Sequence, residues 1–332
     1  MKAIGLFSGG LDSLLSVKVM QEQGIEIEAL NLNILFHPRT PEVCVVSMAE
    51  KLGVPLKVID AGQDLIDIVK RPRHGFGRNM NPCIDCRIMK FRKAREYMAE
   101  SGASFIFTGE VLGERPMSQT MEAMKLIERE SGLEGLVLRP LCAKLMEPTI
   151  PEIKGWVNRE KLLDIQGRGR KPQIALARHY GITDYPSPAG GCKLTEPNFA
   201  NRLRELMAHD PGFTINDVTL LMVGRHFRLS DKVKAVVGRD AQDNLRLVAC
   251  ATPDDLLIEM IDTPGPTTLI RGVDVESYLE KAGILTVSFA KSAGIGLVKT
   301  RVSDGAGRKS VDMYFKPDDK DGFRVMMLAQ NA

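Results

Sequence analysis

The order of apolar runs along this chain predicts an α/β fold. A doubly wound parallel sheet is expected first, then a smaller C-terminal α+β domain. Over roughly the first 150 residues, short apolar runs alternate with stretches of helical periodicity. From about residue 213 that alternation stops, and short β-like runs follow one another between turns such as Thr263-Pro264-Gly265-Pro266. Strands separated by helices of roughly 10 to 15 residues need right-handed crossovers and carry helices on both faces of the sheet. At 332 residues the chain has room for two or three domains of ~100–200 residues. The expected division is 1–150, a helical and basic segment 151–212, and 213–332.

The first strand is expected at 3–7, a buried run that ends at a glycine-rich turn. Further strands are read at 27–32, 56–60, 104–108 and 136–138, with helices between them at 14–23, 41–52, 86–101 and 119–131. The tail reads as strands at 245–250, 256–261, 268–271, 295–302, 310–315 and 325–328, with one helix at 275–282. No internal repeat, heptad run or low-complexity segment is present.

Composition narrows the function classes. Aromatics make up only 5% of the chain, with a single Trp156, which argues against an aromatic-rich single-strand reader. The net charge is +3, so a nucleic-acid partner would need a local basic patch. No apolar run approaches the ~18 residues of a membrane span. Strand-like sequence from Lys2 leaves no room for a signal peptide, so a cytoplasmic protein without membrane contact is expected. Six cysteines at 44, 83, 86, 142, 192 and 250 then point to metal or redox chemistry rather than a disulfide framework.

The turn after the first run is Ser8-Gly9-Gly10-Leu11-Asp12-Ser13. Glycines without Cβ atoms admit an anion to backbone N–H groups, and the following helix N-terminus adds its positive dipole end. Ser8 and Ser13 can donate to phosphate oxygens. A carboxylate at Asp12 makes sense beside a polyphosphate if Mg²⁺ bridges the two. The Walker loop would require lysine, which is missing here. The match is to the S-G-G-x-D-S loop of ATP pyrophosphatases, which cleave between the α- and β-phosphates. Simple helix capping is the competing reading.

Cys83 and Cys86 form C-x-x-C where a helix should begin, and Cys192 follows Gly190 and Gly191. Two close thiolates plus one distant one suit an iron–sulfur cluster with one open iron. A redox pair activated by the helix N-terminus is the alternative. A zinc site would need a fourth ligand at a suitable spacing. Cys44, Cys142 and Cys250 sit inside apolar runs and read as buried structural residues. His37, His74, His179, His209 and His226 stand isolated and read as structural or surface residues.

The stretches "SGGLDS", "NPCIDCRIMKF", "TGEVLGERPMSQ" and "YPSPAGGCKLT", in this order over roughly residues 1–200, together resemble the PP-loop tRNA thiouridylases of MnmA, ThiI and TtuA type. The C-x-x-C departs from the MnmA-type Asn-Pro-Asp-x-x-Cys and is similar to the TtuA-type cluster site. The resemblance implies an adenine-nucleotide alpha-hydrolase (PP-loop) fold. It implies that Ser8, Gly9, Gly10, Asp12 and Ser13 bind ATP phosphates and Mg²⁺, and that Thr108 and Gly109 lie on the adenine side. Ser118 and Gln119 would contact substrate or ATP, with a helix N-cap at Ser118 as the alternative. Asp12, Cys86 and Cys192 would be catalytic, and Cys83, Cys86 and Cys192 would hold a [4Fe–4S] cluster. Otherwise Cys86 and Cys192 would form a persulfide and resolving pair.

"GRGRKPQIALAR" supplies Arg168, Arg170, Lys171 and Arg178 without an acidic residue. These could track a phosphate backbone, and a solvated face is the plainer alternative. The tail resembles NFACT-R RNA-binding modules through "SFAKSAGIGLVKTRV", with Lys291, Lys299, Arg301, Arg308 and Lys309 as an expected basic face. A structural or homodimer-forming role is the other reading of the tail. The expected protein is thus an ATP-dependent enzyme that adenylates a uridine carbonyl oxygen of tRNA and replaces it with sulfur from sulfide or a persulfide carrier. A PP-loop ligase or amidotransferase acting on a small molecule is one rival, and a non-catalytic RNA-binding protein is another.

Overall fold

In the computed structural model, residues 1–36, 45–185, 192–290 and 296–328 are described. The chain forms two compact units, Met1–Lys193 and Leu194–Ala332.

The first unit runs β1 (Lys2–Leu6), α1 (Leu11–Gln21), β2 (Glu26–Asn33), α2 (Val45–Leu52), β3 (Leu56–Asp60), α3 (Gly62–Lys70), α4 (Cys83–Ser101), β4 (Phe105–Thr108), α5 (Met121–Ser131), β5 (Val137–Leu138), α6 (Ile150–Ile153) and α7 (Lys171–His179). The sheet order is β3-β2-β1-β4-β5 with every pair parallel. Side chains alternate between the two faces, as period 2 requires. Ala3, Phe105, Phe107 and Leu138 pack with α1, α2 and α7. Ile4, Ile106 and Val137 pack with α4 and α5 on the other face. Thus the doubly wound parallel sheet expected from the sequence is present. One helix, α3, was not expected, because "GQDLIDIVK" is short. Helix α1 starts at Leu11 rather than Leu14, since the loop's own Leu11, Ser13 and Leu14 are buried.

The second unit contains α8 (Pro197–His209), α9 (Ile215–Leu220), β6 (Arg225–Ser230), β7 (Val233–Val237), α10 (Ala241–Cys250), β8 (Leu256–Met260), β9 (Thr268–Gly272), α11 (Leu279–Ser288), β10 (Val298–Asp304), β11 (Ser310–Phe315) and α12 (Lys320–Arg324). Its six strands lie in the order β11-β10-β8-β9-β7-β6, all antiparallel. One face packs on α11 and the other on α9 and α10. This is the expected smaller α+β domain, with corrections. Residues 245–250 are helical, not a strand. Asp240 accepts from the Asp243 N–H at 2.8 Å and caps α10. Leu247 and Cys250 face the core, while Leu245 is 73% exposed. That is a helical rather than an alternating pattern. Residues 325–328 form no strand either. Met326 and Leu328 hydrogen-bond to β6 and Met327 makes an isolated bridge to Phe227, after α12 has turned the chain. The 275–282 helix is displaced to Leu279–Ser288, preceded by a single 3₁₀ turn over Val275–Tyr278. The β6–β7 hairpin, α8 and α9 were not read from the sequence.

Cross-strand register lines up Arg228, Lys234 and Arg271 on β6, β7 and β9. Arg228 pairs with Glu205, and Arg271 pairs with Asp217 and Asp255 at 2.7 and 2.6 Å. Lys234, 6% exposed, forms no ion pair of its own among the described residues. Burial pushes its ammonium down to about 8, and Arg228 and Arg202 add to this while Glu205 opposes it. In the unfolded chain the amine returns to its ordinary ~10.5. Below pH 8 both states hold the proton, so the full cost of burying the charge is present. Between pH 8 and ~10.5 only the unfolded chain holds it, and stability rises with pH. Lys234→Met should therefore stabilise the protein at pH 7 by up to ~3 kcal/mol, and the gain should shrink towards zero by pH ~10.5. Denaturant unfolding at the two pH values checks this; an equal gain at both would refute it.

Candidate nucleotide and sulfur site

The sheet reverses its winding between β1 and β4, where Leu6 pairs with Thr108. In open parallel sheets this switch point is where ligands enter, beyond the carboxyl ends of the strands. Residues 8–13 leave β1 there. Gly9 takes the left-handed conformation at φ 75°, Gly10 N–H donates to Ser8 Oγ at 3.3 Å, and Ser13 Oγ donates to Gly10 O at 2.7 Å. No side chain caps α1, whose N-cap is Gly10. The capping reading of this loop therefore lacks its defining bond. Gly109 abuts the loop so closely that a Cβ would meet Asp12 C and O at 2.5 Å. Only glycine fits, so this residue props the loop from beneath. Thr108 is buried and its hydroxyl accepts from Glu110 N–H at 2.9 Å.

Asp12 Oδ1 is buried with no hydrogen-bond partner. Burial pushes the carboxyl up, against the pull of Arg170 and Arg115. Glu114 is pushed up too, by burial and then by the Asp12 charge. Arg170 and Gln173 neighbour Asp12, and Arg170 Nε and both amide atoms of Gln173 are likewise buried without hydrogen-bond partners, as are Ser118 Oγ and Gln119 Oε1 on the segment that carries Glu114. Orphaned polar atoms inside a protein are rare, and several near one phosphate-type loop are the mark of a site built for a polar ligand. Mg²⁺ commonly binds one or two carboxylates plus phosphate oxygens, so Asp12 and Glu114 fit such an ion beside a nucleotide. Ser118 is not a helix N-cap. Thr120 takes that place on α5, accepting from Ala123 N–H at 3.2 Å.

Glu114, Arg115 and Gln173 were not singled out in the sequence. Glu114 and Arg115 lay inside the quoted "TGEVLGERPMSQ", and the α7 start that carries Arg170 and Gln173 read only as a basic stretch. The structure splits that stretch. Arg168, Lys171 and Arg178 are exposed, whereas Arg170, the N-cap of α7, turns towards Asp12.

Cys83 opens α4, and Cys86 N–H donates to Pro82 O at 2.9 Å. Cys86 keeps some accessible surface but is densely enclosed; burial pushes its thiol up, with Lys90 and Arg87 opposing. Lys90, one turn further along α4, is pushed down by burial while the charges of Cys86 and Cys192 pull it up. One ammonium therefore lies within electrostatic reach of two of the three predicted thiols. Arg115 also faces Lys90, which links this group to Asp12. Glu110 ties the turn to the end of β4, through Arg87 at 2.5 Å and the buried Arg139 at 3.0 Å. Cys142 is fully buried, its thiol pushed up to about 11 by burial, and Cys250 is buried as well. Gly190, Gly191 and Cys44 lie outside the described residues. Among the described residues, no group of three or more His, Cys, Asp or Glu is arranged to hold a metal ion. The expected basic face of the tail is partly neutralised, since Lys299 and Arg301 both pair with Asp312. Among the described residues, no helix is long and apolar enough to cross a membrane.

Residues 1–150 match the family described as thiamine biosynthesis protein (ThiI), and residues 224–321 match the NFACT protein RNA binding domain. The tRNA-specific 2-thiouridylase MnmA of Psychromonas ingrahamii is 24% identical over 75% of this chain and 73% of its own. The enzyme of the same name from Sulfurimonas denitrificans is 32% identical over 31% of this chain and 32% of its own. A solved 4-thiouridine synthetase–RNA complex with bound ATP aligns over 66% of this chain and 52% of that one, at 19% identity and a TM-score of 0.36. In its loop, its sheet and these matches, the first unit is similar to the PP-loop tRNA thiouridylases over residues 1–150.

Proposed function

We propose that this protein is an ATP-dependent tRNA thiouridine synthetase. One observation carries the reading. Asp12 of the phosphate loop, with its buried and unpartnered Oδ1, feels the charge of Arg115, and Arg115 shares Lys90 as a charged neighbour with the thiols of Cys86 and Cys192. Adenylation and sulfur chemistry belong together because a carbonyl oxygen is a poor leaving group until it is converted to AMP. The uridine oxygen attacks the α-phosphorus and pyrophosphate departs. Arg170 and the loop N–H groups take up the charge that develops on the departing phosphates, and Mg²⁺, held by Asp12 and Glu114, would neutralise the remainder.

Sulfur transfer then follows from the cysteines. The terminal sulfur of a persulfide on one cysteine attacks the activated carbon, and AMP leaves with the former carbonyl oxygen. The second thiolate attacks the cysteine sulfur of the resulting C–S–S linkage. This releases the thiocarbonyl and leaves a Cys86–Cys192 disulfide, which a thiol reductant reopens. The charge of Lys90 works against the burial that raises the Cys86 thiol. A [4Fe–4S] cluster on Cys83, Cys86 and Cys192 is the second reading, favoured by the C-x-x-C with its distant third cysteine. In that reading the three thiolates would hold the cluster and its open iron would supply the site for sulfide.

Exposed Arg168 and Lys171, together with the NFACT-R-like unit, are proposed as contacts to tRNA. Tyr314 in that unit, 58% exposed on β11, offers a ring for stacking. Purified protein, unmodified tRNA, Mg-ATP and a persulfide donor should yield AMP, pyrophosphate and a 2- or 4-thiouridine in the digested nucleosides. AMP formation that is indifferent to tRNA would favour the small-molecule ligase instead.

A further inference from the structure

We propose that the loop 71–78, "RPRHGFGR", is where an unpaired base of the RNA beside the target uridine stacks. Phe76 would be the platform, and Arg71 and Arg78 would meet the flanking phosphates. This rests on the tRNA reading above and names a contact surface for it.

The loop's charge is of one sign. No acidic residue occurs from 71 to 84. Arg71 and Arg78 are exposed and form no ion pair among the described residues, whereas Arg73 is committed to Glu130 at 2.9 Å. Phe76 is 38% exposed and is the one phenylalanine among the exposed large apolar side chains described. An aromatic ring left in water between two unpaired arginines suits a stacked base next to phosphates.

The loop is also held rigid, and held at the cysteines. His74 N–H donates to Asp85 Oδ2 at 2.9 Å, its Nδ1 meets Asp85 Oδ1 at 2.9 Å, and its Nε2 meets Glu130 Oε1 at 3.1 Å. Asp85 stands inside the C-x-x-C, between Cys83 and Cys86. His74, which the sequence offered only as an isolated residue, therefore latches the loop to the turn that carries the sulfur chemistry. On the far side, Gly77 N–H donates to Asn81 O at 2.9 Å. A Cβ on Gly77 would overlap Met117 Sδ at 2.0 Å, so the loop is seated on the same segment that carries Glu114, Arg115 and Ser118. A ring presented from so constrained a loop loses little freedom when a base stacks on it.

The test uses the full chain and unmodified tRNA, with affinity measured across a salt series. Phe76→Ala should weaken tRNA binding about tenfold to a hundredfold, the range for loss of one base stack, and Phe76→Trp should restore it. Arg71→Ala with Arg78→Ala should lower the slope of log K against log salt by ~1.4, about 0.7 for each contact to an unpaired strand. Melting temperature and binding of a fluorescent ATP analogue should stay at the wild-type values in all three. Wild-type affinity and slope in the variants would overturn the proposal while leaving the tRNA reading intact. Unchanged RNA affinity with impaired sulfur uptake from a persulfide carrier protein would overturn it in favour of a protein-docking loop. If the wild-type chain bound no tRNA at all, the function proposed above would fall, and this surface with it.

Discussion

Asp12→Asn should lower tRNA-dependent pyrophosphate release by about 10² to 10³ and at the same time leave the fold as stable as before, or more so. The two effects have one origin. Its Oδ1 is buried without a hydrogen-bond partner and burial raises its pKa, so in the absence of a cation the carboxylate costs folding energy. Below pH ~4, the ordinary value for aspartate, both folded and unfolded chains hold the proton and the cost vanishes. As pH rises from there, the unfolded chain ionises first, and the wild-type protein loses stability relative to the variant. The asparagine variant should therefore melt at or above the wild-type temperature at pH 7, and at the same temperature below pH ~4. Added Mg-ATP should raise the wild-type melting point more than that of the variant, because ligand binding to the folded state stabilises it by mass action. Wild-type pyrophosphate release by a well-folded variant would show that Asp12 is not part of the chemistry.

Cys86→Ser and Cys192→Ser should each abolish thiouridine formation while pyrophosphate release stays within about twofold of wild type. The thiols lie near Lys90, and none of them is among the groups acting on Asp12, so removing sulfur leaves the adenylating groups in place. Serine fills nearly the same volume, and neither position is part of the apolar core. Iron separates the two sulfur mechanisms. Anaerobic reconstitution that loads about four irons per chain, with loss of both iron and activity in Cys83→Ser, would establish the cluster. Iron-free protein that thiolates tRNA from a persulfide donor at full rate, in wild type and in Cys83→Ser, would establish the Cys86–Cys192 pair. A variant at 86 or 192 that still made thiouridine would end both.

Much of the first unit was legible in the chain because its signals are local. Five parallel strands with helices between them follow from runs such as "FIF" at 105–107, where alternate residues face opposite cores. The second unit was harder to read. "NLRLVAC" has the β-branched and leucine-rich look of a strand, yet the Asp240 cap and one buried stripe make it α10. Hairpin β6–β7 hides because its inward face carries Arg228 and Lys234, polar residues that become tolerable only beneath Glu205 and its neighbours.

The same division holds at the site. By itself the sequence determined the parallel sheet, the phosphate loop at 8–13, the C-x-x-C and the family resemblance, since each depends on residue types at fixed short spacings. The tertiary structure decided what those groups face. It turned Arg170 away from the exposed basic stretch and towards Asp12, set Glu114 beside the same carboxylate, and brought the distant Cys192 near Lys90. It also gave His74 two carboxylates to bridge. Burial and through-space charge arise only when segments a hundred residues apart are packed together, and no spacing along the chain encodes them.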